Sequence, residues 1–383
     1  MVELKLYYVT NRRHEGNDRW NPDGYGFGFS DDGAENLRFG KVTAQADDQQ
    51  ISNYLNAETT DKGSGNGIQL GGYLEERIKA NGTINAFAEI LPDGTQKLAS
   101  KEMFQEVKSE MEKATDTIVY AHGYAVKWTE AVANALSLQA MLNKKDENVE
   151  NQKVLVILFT WPSDGRYVLA EDARKIFLGA YRSDRVEAEA SGAALGRGIL
   201  KLRDFFIDMR KTGQPACNQC IHILCHSMGN YVLQNALTTI ANNTPTSALP
   251  ALFEHIFLCS ADVDDTVLEP DQTMGILHQL SSSVSIYYNR EDKALWFSDK
   301  LKGNPDRLGT NGAARPAAVH KKIHQIDCTA IIQEGIVSNE HSYYMYGKTN
   351  RDIRLSIANT NHYDLEKRER RQIGNFTNEW KLI

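Results

Sequence analysis

The chain of 383 residues is short of several features that would have placed it quickly. No window approaches the roughly 20 consecutive apolar residues of a membrane-spanning helix. The opening MVELKLYYVTNRRH has neither the basic start nor the apolar core of a secretory leader. Positive charge is not in excess: 43 Lys and Arg stand against 50 Asp and Glu, a formal charge of -7. Binding nucleic acid requires a basic patch to neutralise phosphates, so no nucleic-acid partner is expected. Cysteine is scarce and odd in number, five in all, which argues against a disulfide framework. Cys225, Cys259 and Cys328 stand in apolar runs, as buried free thiols in a reducing compartment would. These absences predict a cytoplasmic protein with no transmembrane segment. Cys217 and Cys220 form a lone C-x-x-C with no second ligand pair, and the pair opens a strand rather than a helix. Neither a metal site nor a redox role is expected there.

What is present divides the chain into two rhythms. Residues 1–100 are β-leaning and rich in turns. LKLYYVTN alternates like a strand, PDGYGFGFSDDG is dense in turn residues, and INAFAEILPDGTQKL reads as a strand running into a Pro-Asp-Gly turn. Asn56 to Gly67 is polar and glycine-containing, the composition of a loop. Over 101–350 helical and strand patterns alternate. KEMFQEVKSEMEKA is an amphipathic helix, TIVYAHGY a strand, VKWTEAVANALSLQAMLNK a helix and KVLVILFTW a strand apolar on both faces. Leu195, Ile199, Leu202, Phe206 and Met209 mark one face of a further helix. CIHILCHS, HIFLCSAD, VSIYYNR and KIHQIDCT continue as strands, with helices expected at GNYVLQNALTTIANN, around Asp271–Leu280 and from Ala294. The pattern predicts a single α/β domain over 1–383, a doubly wound and mostly parallel sheet with helices on both faces and a β-rich N-terminal extension. Residues of about 163–192 exceed what a simple crossover needs and are expected as a lid or an extra packed helix. KRERRQ, Lys367 to Gln372, interleaves acid and base and is expected as a solvated helix face.

Catalytic chemistry is suggested by the order of four loops. In ILCHSMGNYVL an S-x-G lies between a strand and a helix. A nucleophile on such a turn needs small residues two positions to either side, and Cys225 and Gly229 flank Ser227 in that way. The amide of Met228 is then aimed where an oxyanion would form. A serine needs a base and the base needs a carboxylate, in the chain order Ser, acid, His, each on a loop after a later strand. Among the later histidines, His255 starts a strand, His278 falls in a helix, His320 and His324 adjoin or enter a strand, and His362 lies near the polar end. His341, in SNEHSYYMYG, is the one placed in a loop after the last expected strand. His226, beside the serine, diverges from it on the turn and is not expected as the base. Two stretches offer the acid: Asp292 in YYNREDKAL, at the usual station after the penultimate strand, and Asp262 and Asp264 in CSADVDD, after the strand before it; Asp292 is favoured over Asp262. A second oxyanion amide is expected at Tyr124, directly after His122 and Gly123. Gly123 lets backbones approach, and His122 is expected to brace the loop rather than take a proton. Trp161 in WPSDG, with Asp164, stands at a strand's carboxyl end, where it either walls the pocket or makes a tight turn.

Beyond these single motifs, YVTNR, LRFGKV, VYAHGY, FTWPSDG, LCHSMGN, SADVDD, YYNREDKAL and EHSYY run through most of the chain. In that order they resemble an uncharacterised bacterial α/β-hydrolase family, serine-esterase-like proteins of unknown function. The resemblance implies an α/β-hydrolase fold with Ser227, Asp292 and His341 as the triad, and it implies no substrate. The polar stretch Asn56–Gly67 departs from the family pattern. The function expected from residues and resemblance together is a serine hydrolase, a carboxylesterase or lipase-like esterase acting on small-molecule esters without metal or organic cofactor. A thioesterase or acyltransferase would use the same triad. A non-catalytic binding module of the same fold would be expected to have lost one of these parts.

Overall fold

Runs rich in Val, Ile, Leu and aromatic residues form the strands of the protein, and amphipathic runs cover them. The computed structural model describes residues 1–58, 63–90, 94–146, 149, 151–163, 173–211, 219–245, 249–296, 305–332, 340–374 and 377–383, with the backbone alone at 173–178 and 210. Strands β1 (Val2–Thr10), β2 (Arg12–Glu15), β3 (Gly24–Phe29) and β4 (Arg38–Ala46) come first, followed by helices α1 (Asp48–Leu55) and α2 (Gly67–Asn81) and strand β5 (Thr83–Ala86). The alternating part runs α3 (Ala99–Met111), β6 (Asp116–Ala121), α4 (Trp128–Leu142), β7 (Val154–Thr160), α5 (Ala173–Lys211), β8 (Cys220–His226) and α6 (Gly229–Asn242). It continues through β9 (Phe253–Cys259), β10 (Ser281–Tyr288) and β11 (Ile323–Asp327) to a helix at Gly347–Ile357 and strands β12 (Arg370–Gln372) and β13 (Glu379–Leu382).

Eleven strands form one sheet in the order β12-β13-β11-β10-β9-β8-β6-β7-β1-β4-β5. Neighbours from β13 to β1 all pair in parallel. Antiparallel pairs occur only at the ends, β12 with β13 on one side and β4 with β1 and β5 on the other. The hairpin β2–β3 stands apart from this sheet. Both faces of the central strands are buried, so their residues divide by parity. On β8, Ile221, Ile223 and Cys225 join the core that includes Leu233 and Leu237 of α6 and Leu195 and Ile199 of α5, while Leu224 joins the core on the α2 and α4 side. Successive strands β6 and β7 are neighbours, whereas β8 lies on the far side of β6. The crevice outside the carboxyl ends of β6 and β8 is therefore a topological switch point, where open α/β sheets place their ligands. Among the described residues no helix is long and apolar enough to cross a membrane.

Three expectations need correction or addition. Residues 1–100 are β-leaning as expected, holding β1 to β5, and the addition needed is that α1 and α2 also fall within them. Leu70, Leu74 and Ile78 form a buried stripe at a spacing of four on α2, and Asn66 caps it by accepting from the Gln69 amide; Asp47 caps α1 in the same way. The helix expected over Asp271–Leu280 is instead a succession of turns ending in one 3-10 turn at Leu277–Gln279. Gly275 packs its backbone onto the carbonyls of Glu269 and Pro270, where a Cβ would come within 2.3 Å, and this folds the chain back on itself. The third correction concerns KRERRQ. Its residues Arg370–Gln372 are strand β12, and Arg368 and Arg370 are buried rather than solvated. They converge on buried Asp352: Arg368 Nη1 and Arg370 Nε donate to Oδ1 at 3.1 and 2.8 Å, and the Tyr287 hydroxyl donates to Oδ2 at 2.6 Å. Charge pairing across the fold, not amphipathic periodicity, explains this segment. Asp164 and Cys217 lie outside the described residues. So do residues 59–62 of the expected loop and 164–172 of the expected lid stretch. The described remainder of that stretch, 173–192, is the first half of α5.

Asp352 is the shared counter-charge of two arginines that have no access to water. Asp352→Ala is expected to destabilise the protein by about 3–5 kcal/mol, the penalty of leaving buried charge uncompensated. Denaturant unfolding at neutral pH measures it, and a loss below about 1 kcal/mol would show that the cluster is already balanced elsewhere.

Candidate active site

The carboxyl end of β8 turns sharply at Ser227 and enters α6 at Gly229. Ser227 has φ of 52°, the left-handed region that an L residue with a side chain adopts only when its surroundings enforce it. Those surroundings are visible. The Ser227 amide donates to the Cys259 carbonyl of β9 at 2.9 Å, and the Ser227 carbonyl accepts from the Asp262 amide at 3.2 Å. The Asn230 side-chain amide donates to the carbonyls of Cys225 and Ser227, both at 3.0 Å. Glycine at 229 is a steric necessity, since a Cβ there would lie 2.6 Å from the carbonyl oxygens of both Ala121 and His122. At 225, where a glycine often stands, Cys225 is fully buried, and burial pushes its thiol pKa up. It packs as a small apolar residue in the core beneath the turn.

The loop after β6 meets this turn. A Cβ at Gly123 would come within 2.8 Å of the Ser227 Cβ. Behind Gly123, the His122 Nδ1–H donates to the Gly123 carbonyl at 2.9 Å, so Nε2 is the acceptor and takes the Thr160 hydroxyl at 2.9 Å. Burial first, and the Arg12 charge second, lower the His122 pKa to about 3, so this imidazole is neutral and braces the loop. Trp161 stacks on the His122 ring and donates from Nε1 to the His122 carbonyl at 3.1 Å. Arg12 is fully buried and ties three segments together, donating to Thr160 Oγ1 at 2.9 Å, the Gly26 carbonyl at 3.2 Å and the Val126 carbonyl at 2.7 Å. Ala125, at φ of 56°, donates its amide to Asp184 of α5 at 3.0 Å. Asp184 also accepts from Ser163 at 2.7 Å, and Ser163 receives the Val126 amide. Met228 precedes the first turn of α6, and among the described residues none accepts its backbone N–H.

His341 is brought to the same place by strands β9 and β10. Its Nδ1 lies 2.7 Å from Oδ2 of Asp292, a fully buried carboxylate in the loop after β10. The other oxygen of Asp292 accepts the Leu295 amide at 3.0 Å, so one carboxylate both caps a helical turn and holds a histidine. The backbone of His341 is fixed as well: its carbonyl accepts from His226 Nε2 at 3.2 Å and from the Ser260 hydroxyl. Asn289 donates to the preceding carbonyl, that of Glu340, at 2.8 Å. Burial alone would lower the His341 pKa. The charge and hydrogen bond of Asp292, with the charge of Asp262 farther off, outweigh burial and raise it above the ordinary 6.5. His226 lacks such a carboxylate, and burial together with the His341 charge holds its pKa well below the ordinary value.

Asp262, the other expected acid, has different partners. It accepts from the Tyr181 hydroxyl at 2.8 Å and pairs with Arg307 Nε at 3.2 Å, and its carbonyl accepts from Arg185. Ser227, His341, Tyr124 and Asp262 share the wall of one cavity of about 310 Å³. His122 and Trp161 are not among its lining residues; they lie behind the loop, and Gly123 packs directly on Ser227. Other histidines are remote in the topology: His222, His255 and His324 sit in the amino-terminal halves of their strands. Among the described residues no cluster of His, Cys, Asp and Glu could hold a metal ion. Arg12, Thr160, Ser163, Asp184, Asn230, Ser260 and Asn289 were not singled out from sequence. Arg12 and Ser163 stand within YVTNR and FTWPSDG, so the positional signal was present without a chemical one.

The mostly parallel sheet, its switch-point crevice and the strand-turn-helix at Ser227 define an α/β-hydrolase architecture. Within that class the chain belongs to the family of alpha/beta hydrolases of unknown function called DUF900, whose model matches residues 96–349. No curated protein matches the chain.

The contact at Gly229 makes a prediction about the turn. Gly229→Val is expected to destabilise the fold by about 1–3 kcal/mol or more through overpacking against two carbonyls. Thermal and denaturant unfolding measure it. A variant as stable as the parent would mean that β6 approaches α6 less closely than these contacts require.

Proposed function

We propose that the chain is a serine hydrolase, a carboxylesterase or lipase-like esterase that works by acyl transfer through Ser227, His341 and Asp292. The observation that carries this reading is the left-handed Ser227 in a cavity it shares with His341, whose Nδ1 is held by Asp292. A bond from Asp292 to Nδ1 fixes the tautomer with the lone pair on Nε2, the form a general base needs. Ser227 Oγ attacks the acyl carbon while His341 Nε2 takes its proton. The oxyanion of the tetrahedral intermediate is received by the amides of Met228 and Tyr124. His341 then protonates the departing alcohol, leaving an acyl-enzyme. Water, deprotonated by the same Nε2, attacks the acyl carbon, releases the acid and restores Ser227. Asp292 stabilises the imidazolium at both stages without becoming protonated. Tyr124 and Met228 suit the oxyanion role because Gly123 and Gly229 allow the two loops to meet without side chains between them.

Labelling with a fluorophosphonate tests the nucleophile. Native protein is expected to react, and Ser227→Ala and His341→Ala are expected to lose labelling and about 10⁴-fold or more of kcat/KM on p-nitrophenyl esters. A folded native protein that does not label refutes the proposal, and labelling that survives Ser227→Ala refutes the choice of serine. Asp292→Asn is expected to reduce kcat more than Asp262→Asn, and the reverse order would transfer the acid role to Asp262.

The raised pKa of His341 sets a pH dependence with a definite sign. The imidazolium cannot accept the Ser227 proton, so kcat/KM falls as pH drops through the His341 pKa. That acidic limb is expected above the ordinary 6.5. Asp292→Asn removes the larger contributions that raise the pKa and leaves burial, which lowers it, opposed only by the charge of Asp262, so its limb moves to lower pH. A pH profile of residual activity in the variant measures the displacement, and a limb that stays in place or moves upward contradicts the assignment.

A further inference from the structure

The cavity of Ser227 and His341 carries groups on its α4 wall that the acyl-transfer chemistry leaves unused. Glu130 and Asn134, one helical turn apart on α4, both face it. Glu130 is the third residue after Lys127, which caps α4, and its carboxylate reaches back to the Lys127 backbone amide. Among the described residues no side chain forms a hydrogen bond or close ion pair with that carboxylate. Burial, with Glu75 nearby, raises its pKa, and the charges of Lys127 and Lys79 offset this only in part. A half-buried carboxylate without a close cation is an unsatisfied electrostatic demand. The Asn134 amide also takes part in no hydrogen bond among the described residues.

The remaining wall suits the same demand. Tyr120, Tyr124, Tyr181 and Tyr344 line the cavity. Tyr120 and Tyr344 are close enough to Glu130 for its charge to act on both, and their hydroxyls are joined at 2.8 Å. Asp262, the other carboxylate on the wall, is held by Arg307 and Tyr181. No lysine or arginine is among the described residues lining the cavity. Aromatic rings together with a carboxylate suit an organic cation, whereas an anionic group would be repelled and a neutral one would gain nothing from Glu130.

We infer that this site selects esters bearing an ammonium group, with Glu130 as its counter-charge, the tyrosine rings as its apolar and cation-attracting wall, and Asn134 as an adjoining dipole. The inference rests on the serine-hydrolase reading and specifies its substrate class.

The test compares kcat/KM for butyrylcholine and for its uncharged isostere, in which carbon replaces the quaternary nitrogen. Native protein is expected to prefer the cation by about 10-fold or more. Glu130→Gln, which keeps an acceptor for the helix cap, is expected to bring the ratio toward one, and Asn134→Asp to raise it. Each variant is first checked for native melting behaviour, and an Asn134→Asp variant that melts normally without raising the ratio also overturns the inference. Fluorophosphonate labelling separates the two ideas. A labelled native protein that hydrolyses both esters alike, or neither, overturns the cation inference alone, as does a ratio that Glu130→Gln does not alter. A protein that does not label overturns the hydrolase reading and this inference with it.

Discussion

The backbone of Ser227 is the constraint on which the rest of the candidate site depends. A left-handed serine is held there against a conformational penalty of about 1–3 kcal/mol. The restraint comes from outside the turn: a carbonyl of β9 takes its amide, an amide following β9 takes the serine carbonyl, and Asn230 bridges both ends. Because β8 and β9 are parallel neighbours, the loop after β9 is necessarily close enough to do this. The order of strands thus fixes the turn, and the turn in turn demands glycine at 229, where the end of β6 passes. A single left-handed residue therefore ties β6, β8 and β9 to one geometry.

Electrostatics then distinguishes three histidines that are chemically equal in the sequence. His122 and His226 are buried without a carboxylate and remain neutral, so each serves as a hydrogen-bonding strut: one under Gly123, the other against the backbone of His341. His341 is buried as well, yet Asp292 reverses the sign of its shift. Of these three, only His341 has a raised pKa; it lines the same cavity as Ser227, and its ring lies 4.8 Å from that of His226, which burial keeps neutral. His226, next in sequence to the serine, thereby helps to position His341 through its backbone carbonyl.

Much of this was legible in the sequence because it depends on local chemistry. Doubly apolar runs marked the parallel strands, and the small residues around Ser227 and after His122 marked the two turns. What escaped was long-range. Arg368 and Arg370 sit in a string of charges that looks solvated, and only the arrival of Asp352 from a helix more than ten residues earlier explains their burial. Arg12 reads as an ordinary surface arginine after a strand, but it spans Thr160, Gly26 and Val126, three partners that no window of sequence contains. The missed helices α1 and α2 are a different case: their caps at Asp47 and Asn66 were readable, but the surrounding turn residues dominated the composition. The expected helix at Asp271–Leu280 failed because Gly275 is needed for a close backbone approach, a property that apolar periodicity does not register.

The position of Asp292 shows how a local bond can serve a distant one. A turn aspartate before a helix is ordinarily explained by capping, and this one does cap, through Oδ1 to the Leu295 amide. That ordinary role leaves Oδ2 in a fixed direction, toward His341. Asn289, three residues earlier, uses both ends of its side-chain amide, accepting the Glu291 amide and donating to the Glu340 carbonyl. The acid loop therefore organises itself by local bonds and uses the atoms left over to grip the histidine segment. Neither partner has to be positioned by the other alone, since each is also held by bonds outside the pair. In the serine-hydrolase mechanism proposed above, such prior alignment is what stabilising the imidazolium requires, since dipoles and charges already in place need no reorganisation when the charge forms.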